Sequence, residues 1–74
     1  MKRTPVDSSN LHSVGYEDGV LQIAFKEEKT GAVTGVYDYE GVLPGKVEAL
    51  MASDSKGKYF HNNIKGKYAY KKVE

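Results

Sequence analysis

The stretch "LHSVGYEDGVLQIAFKEEKTGAVTGVYDYEGV", residues 11–42, carries the pattern of an antiparallel sheet. Within it Leu21, Ile23 and Phe25 alternate with Gln22, Ala24 and Lys26, the period-two pattern of a strand with one buried and one wetter face. Glu17, Asp18 and Gly19 form a turn signal ahead of that strand, so Leu11 to Tyr16 read as the strand before it. Downstream, "EEKTG" closes a hairpin, and the chain returns with Val33, Tyr37 and Tyr39 at even spacing, predicted on one side. Gly35 inside this third strand marks a bulge or a close backbone approach.

Beyond the sheet, Pro44 stands where a helix can start, and Val47, Leu50 and Met51 at i, i+3 and i+4 predict an apolar helical stripe over about residues 45–53. Ser53 or Ser55 can end that helix and cap a second one beginning near Lys56, in which Phe60 and Ile64 share a face and Gly66 supplies the stop. On the other side of the sheet segment, "TPVDSSN" is turn-rich and reads as an extended arm. The expected architecture is α+β: a small three-stranded antiparallel meander with two short helices packed on one face. It forms one domain over 1–74, with an arm at 1–10, the sheet at 11–42, the helices at 44–66 and an extended tail at 67–74.

A chain of 74 residues has a core barely large enough to stand alone. Such cores leave about 3–5 kcal/mol of net stability. No cysteine is present, which excludes disulfides and thiolate metal sites. The basic N-terminus reaches no apolar run and no stretch approaches the length of a membrane span, so a cytoplasmic protein without a membrane partner is expected.

Charge is unevenly placed although the net is only +1: residues 1–55 carry −4 and residues 56–74 carry +5. A polarised chain of this kind can focus a field on one surface, unlike a general polyanion binder, which is basic throughout. The basic segment writes Lys-Gly-Lys-Tyr twice, at 56–59 and 65–68. Nine residues turn an α-helix through about 900°, so the copies share a surface only if the chain bends between them, as Gly66 allows. Lys56 and Lys58 in the first turn of a helix oppose its macrodipole. They either deepen an anion site at the helix N-terminus, with Gly57 permitting close approach of a phosphate, or are ordinary exposed residues with Gly57 packed on the sheet.

Tyr59, Phe60, Tyr68 and Tyr70 interleave with six lysines, a composition suited to stacking bases and neutralising phosphates. Phe60 is assigned to the core; Tyr68 and Tyr70, like Tyr37 and Tyr39, either cover the sheet or form a stacking platform. His12 and His61 raise a phosphodiester acid–base pair, but no nucleophile elbow, paired carboxylates or metal-ligand spacing accompanies them. His61, Asn62 and Asn63 read better as hydrogen-bonding groups on the polar face of the second helix. No catalytic residue, metal ligand or cofactor is expected.

In order along the chain, "RTPVDSSNLHSVGYE" from Arg3, "YDY" at 37–39, the Leu43-Pro44 helix entry and "SKGKYFHNNIKGKYAY" ending at Tyr70 together resemble the KTSC domain family. That resemblance implies a short domain found alone in bacterial and phage proteins and at the C-terminus of some lysyl-tRNA synthetases, for which RNA binding has been suggested from context. Carried onto this chain, the central tyrosines are Tyr37 and Tyr39, and the Ser-Lys-Gly element is Ser55, Lys56 and Gly57, followed by Tyr59 and Phe60. The arm corresponds to Pro5, Val6, Ser8 and Ser9. His61 stands where the family pattern has asparagine, and the hairpin "KEEKTGAVTG" is longer than the usual compact turn.

Together these observations lead to an expected non-catalytic binding module for a phosphate-bearing, nucleotide-type ligand, either RNA or a small nucleotide. Lys56, Lys58, Lys65 and Lys67 would meet phosphate, Ser55 and Gly57 would offer backbone approach, and Tyr59, Tyr68 or Tyr70 would stack, with Tyr37, Tyr39 and His61 completing the site. One alternative is a phage-borne protein sequestering a nucleotide immune signal as a homo-oligomer in a bacterial or phage-infected cell. The other is a protein-interaction or homo-oligomerisation domain built on the tyrosine face or a strand edge.

Overall fold

A computed structural model describes residues 1–74. The strands are β1 (Thr4–Pro5), β2 (Leu11–Glu17), β3 (Val20–Lys26), β4 (Val33–Tyr39) and β5 (Tyr70–Lys72), with the helices α1 (Pro44–Ala52) and α2 (Lys56–Asn63) between β4 and β5. All five strands form one antiparallel sheet in sequence order. The expected three-stranded meander is therefore its centre, and the arm and tail each add an edge strand.

The β2–β3 hairpin is held in register by a two-residue loop in which Asp18 and Gly19 have φ of 50° and 80°. Positive φ at both positions is the type I′ geometry whose twist matches the flanking strands, and Asp-Gly is a pair that tolerates it. Leu11, Val14, Leu21, Ile23 and Tyr39 from the sheet join Val42, Leu50, Phe60 and Ile64 in one buried cluster. Thus both helices lie on the face that carries Leu21, Ile23 and Tyr39.

Two register shifts correct the simple alternation. In β2, Leu11 faces Phe25 while Ser13 faces Ala24, leaving His12 as the extra residue. In β4, Gly35 faces Phe25 while Val33 faces Lys26, leaving Thr34 bulged. A bulge reverses the facing of every residue beyond it. Val33 therefore leaves the side of Tyr37 and Tyr39 and stands 46% exposed.

On the face away from the helices, Arg3 Nε donates to Ser13 Oγ at 3.1 Å and its Nη1 to Gln22 Oε1 at 2.8 Å. Gln22 Nε2 in turn donates to Asp38 Oδ1 at 2.8 Å, so the arm is tied across β2 and β3 to β4. In α1 only Leu50 is fully buried; Met51, expected in the stripe, is 36% exposed. Ser55 occupies the N-cap position of α2 but its side chain makes no capping bond. The helix ends at Asn63, short of Gly66, which instead has φ of 76° in a turn closed by Lys67 N–H donating to Ile64 O.

Candidate functional site

The second Lys-Gly-Lys-Tyr copy falls in this exit turn, which carries the chain from α2 to β5 at the sheet edge. A groove of about 560 Å³ lies between that edge and α2. Its floor is aromatic because β-sheet pairing brings Phe25, Tyr37, Tyr39 and Tyr70 to the helix face, opposite Phe60.

These five rings form a closed circuit. Phe25 meets Tyr37 at 5.7 Å between centroids and Phe60 at 5.2 Å. Phe60 meets Tyr39 at 5.4 Å, and Tyr70 completes the circuit with Tyr39 at 5.8 Å and Tyr37 at 6.1 Å. The contacts of Phe60 and of Phe25 with Tyr37 are edge-to-face, the arrangement favoured by the ring quadrupole. Tyr70 alone is largely exposed, at 61%, and presents its ring to solvent above Tyr37 and Tyr39.

Polar groups stand around this floor: Asn10, Thr34, His61 and Lys65, with backbone at Gly35, Gly57 and Gly66. No acidic side chain lines the groove and Lys65 is its only lysine, so its electrostatic bias is toward an anion. Burial, then the neighbouring Tyr37 and Tyr70 phenols, pushes the Tyr39 phenol up from 10.0 to about 12. Tyr39 therefore stays a neutral hydrogen-bonding group at any physiological pH.

A second hollow, of about 430 Å³, lies beside the first and has no hydrophobic lining. It joins Ser8, Ser9, Ser55, Lys56 and Lys58 with two carboxylates, Asp7 and Asp54. Two acids oppose its two lysines, so it lacks the bias of the aromatic groove. Lys56 Nζ is already engaged, donating to Ser53 O at 3.0 Å. Asn10 and Gly57 belong to both hollows and form the wall between them. A Cβ on Gly57 would collide with Asn10 Oδ1. The neighbour that requires glycine at 57 is therefore the Asn10 side chain, and the Gly57 backbone still lines both hollows.

The residues expected to make one site divide accordingly. Tyr37, Tyr39, Gly57, His61 and Lys65 line the aromatic groove, whereas Ser55, Lys56 and Lys58 line the polar hollow with Gly57. Tyr59 and Tyr68 are half-buried against the core, and Lys67 is exposed and lines neither hollow. The glycines of both tetrads reach the groove, so the copies do share a surface, but their four lysines do not converge. Asn10, Thr34 and Gly35 were not foreseen, and Tyr70, left open between cover and platform, caps the ring circuit. His12 lies outside both hollows, its Nδ1 2.9 Å from Ser13 Oγ, so the two histidines do not share a hollow. No three His, Cys, Asp or Glu side chains come together as metal ligands, and no helix is long and apolar enough to cross a membrane.

Comparison with known proteins agrees with this arrangement of elements. The family model described as "KTSC domain" matches residues 7–68. A protein of Stutzerimonas stutzeri (strain A1501), described only as uncharacterized, is 38% identical over the full length of both chains. The crystal structure of a KTSC domain protein from Yersinia pestis superposes with a TM-score of 0.87 at 37% identity, covering 99% of this chain and 97% of that one.

Proposed function

The chain belongs to the KTSC domain family, and from that premise we propose that it is a non-catalytic binding module whose aromatic groove holds one phosphate-bearing, nucleotide-type unit. The observation that carries this reading is the pairing of a five-ring circuit with an anion-favouring rim: Lys65 and His61 line the groove with Tyr37, Tyr39 and Tyr70, and no carboxylate is among the lining residues. Aromatic faces stack bases at about 1–3 kcal/mol per base. A lysine supplies the charge-assisted contact a phosphate needs. The volume falls within the range usual for small-ligand sites.

A single unit is favoured over a long strand because Lys56, Lys58 and Lys67 lie outside the groove. The same unit can be a free nucleotide or one unstacked nucleotide of an RNA. Edge pairing between copies is disfavoured as the main role: β1 has two residues, β5 has three, and β5 carries Lys71 and Lys72. Short, lysine-bearing edges are a device that discourages strand addition.

Titration calorimetry with AMP, UMP and a short single-stranded RNA over a salt series separates the sources. Each phosphate neutralised on a single strand contributes a slope of about −0.7 in log K against log salt. A slope of about −1 or shallower for every ligand is expected of one seated nucleotide, and a much steeper slope for RNA alone would move the reading to a strand tracked along several lysines. Absence of binding for all three would refute the proposal.

A further inference from the structure

Among the side-chain hydrogen bonds the only tyrosine hydroxyl engaged is that of Tyr16, which donates to Val42 O. Tyr39 differs from the other free phenols because it is 6% exposed, the most buried tyrosine in the chain. A phenol this deep ordinarily finds a hydrogen-bond partner. Yet no polar side-chain atom is sealed from solvent without a partner, so the Tyr39 hydroxyl keeps a small opening, and the groove is what its residue lines. With its phenol pushed up to about 12, this group remains an O–H able to donate or accept.

The groove is lined by groups of unlike exposure and chemistry. Lys65 and His61 are exposed at the α2 exit, whereas Tyr39 and Phe60 are buried within the ring circuit. A phosphate carried onto the rings would be stripped of water without a cation to replace it, so its place is at the Lys65 rim. A planar base loses little on entering the rings and leaves its polar edge in need of a partner. Resting on the nucleotide reading above, we infer that the ligand is seated base-inward, its base edge hydrogen-bonded to the Tyr39 hydroxyl and its phosphate at Lys65. Because one phenol serves a carbonyl oxygen, a ring nitrogen or an amino group equally, Tyr39 positions a base without choosing among bases.

Calorimetry of AMP, UMP and ribose phosphate on the wild type and Tyr39→Phe tests this directly, since phenylalanine keeps the ring and removes only the hydroxyl. The expected result is a five- to tenfold loss of affinity, about one neutral hydrogen bond, for both nucleotides, with the weak affinity for ribose phosphate unchanged. Undiminished nucleotide binding by Tyr39→Phe, or equal loss for all three ligands, would overturn the base-inward orientation while leaving the nucleotide reading in place. Failure of the wild type to bind any of the three would overturn both. In wild-type protein carrying ring-labelled tyrosine, AMP should shift the Tyr39 Cζ resonance and leave that of Tyr16 in place; an unmoved Tyr39 signal at saturating AMP would contradict the inference without recourse to a variant.

Discussion

Replacing Phe60 with alanine should bring the chain to about its unfolding midpoint at 25 °C. Phe60 is 6% exposed, sits on α2 and meets Phe25 and Tyr39 edge-on at 5.2 and 5.4 Å. Its truncation removes the ring that joins the helix to the sheet and opens a cavity under the groove. Buried Phe→Ala changes cost about 3–5 kcal/mol, which equals the whole of the roughly 3–5 kcal/mol that so small a core supplies. Phe60→Leu keeps most of the volume and should cost below about 1.5 kcal/mol, remaining folded. Urea denaturation followed by far-ultraviolet circular dichroism measures both. A cost below about 1 kcal/mol for Phe60→Ala would show that α2 is not anchored through this ring.

The largest expected effect on binding belongs to Lys65→Glu, with little effect on folding. Lys65 is exposed, so its replacement removes no packing. It is also the only lysine lining the groove, and reversal would replace one charge-assisted contact with repulsion. A loss of roughly 2 kcal/mol, about 30-fold in AMP affinity, is expected. Lys67→Glu makes the same charge change in the same turn but outside the groove, and should alter affinity by less than about threefold, a screened long-range effect. Equal losses for the two variants would mean that the basic segment acts as a diffuse field and not through a particular site.

The central strands and both helices were legible because each carries a buried periodic pattern: Leu21, Ile23 and Phe25 in β3, and Phe60 and Ile64 at helical spacing. The edge strands were not. Every residue of β1 and β5 is exposed, so neither segment alternates between apolar and polar, and their strand character comes from the partner that each pairs with. Pro5 further concealed β1, although proline is tolerated on an edge strand.

The candidate site shows the same division. Tyr37, Tyr39, His61 and Lys65 were accessible from residue type and spacing. Asn10 was not, because its place depends on contact with Gly57, which no local pattern encodes. Gly35 did carry a signal: Tyr37 and Tyr39 face the helices through their pairing with Ile23 and Leu21, and the bulge at neighbouring Thr34 sends Val33 to the other side. The repeated tetrad misled in one respect. Its first copy is wound into α2 and its second lies in the exit turn, so identical side chains meet different surroundings.

Whether the aromatic groove seats a nucleotide is answered by titrating AMP into ¹⁵N-labelled protein and following the backbone amides by nuclear magnetic resonance. The expected result is saturable shifts confined to Asn10, Gly35, Gly57, His61, Gly66 and Tyr70 and their neighbours, abolished or greatly weakened in Lys65→Glu. Shifts centred instead on the Arg3–Ser13–Gln22 face, or none at millimolar AMP, would contradict that seating.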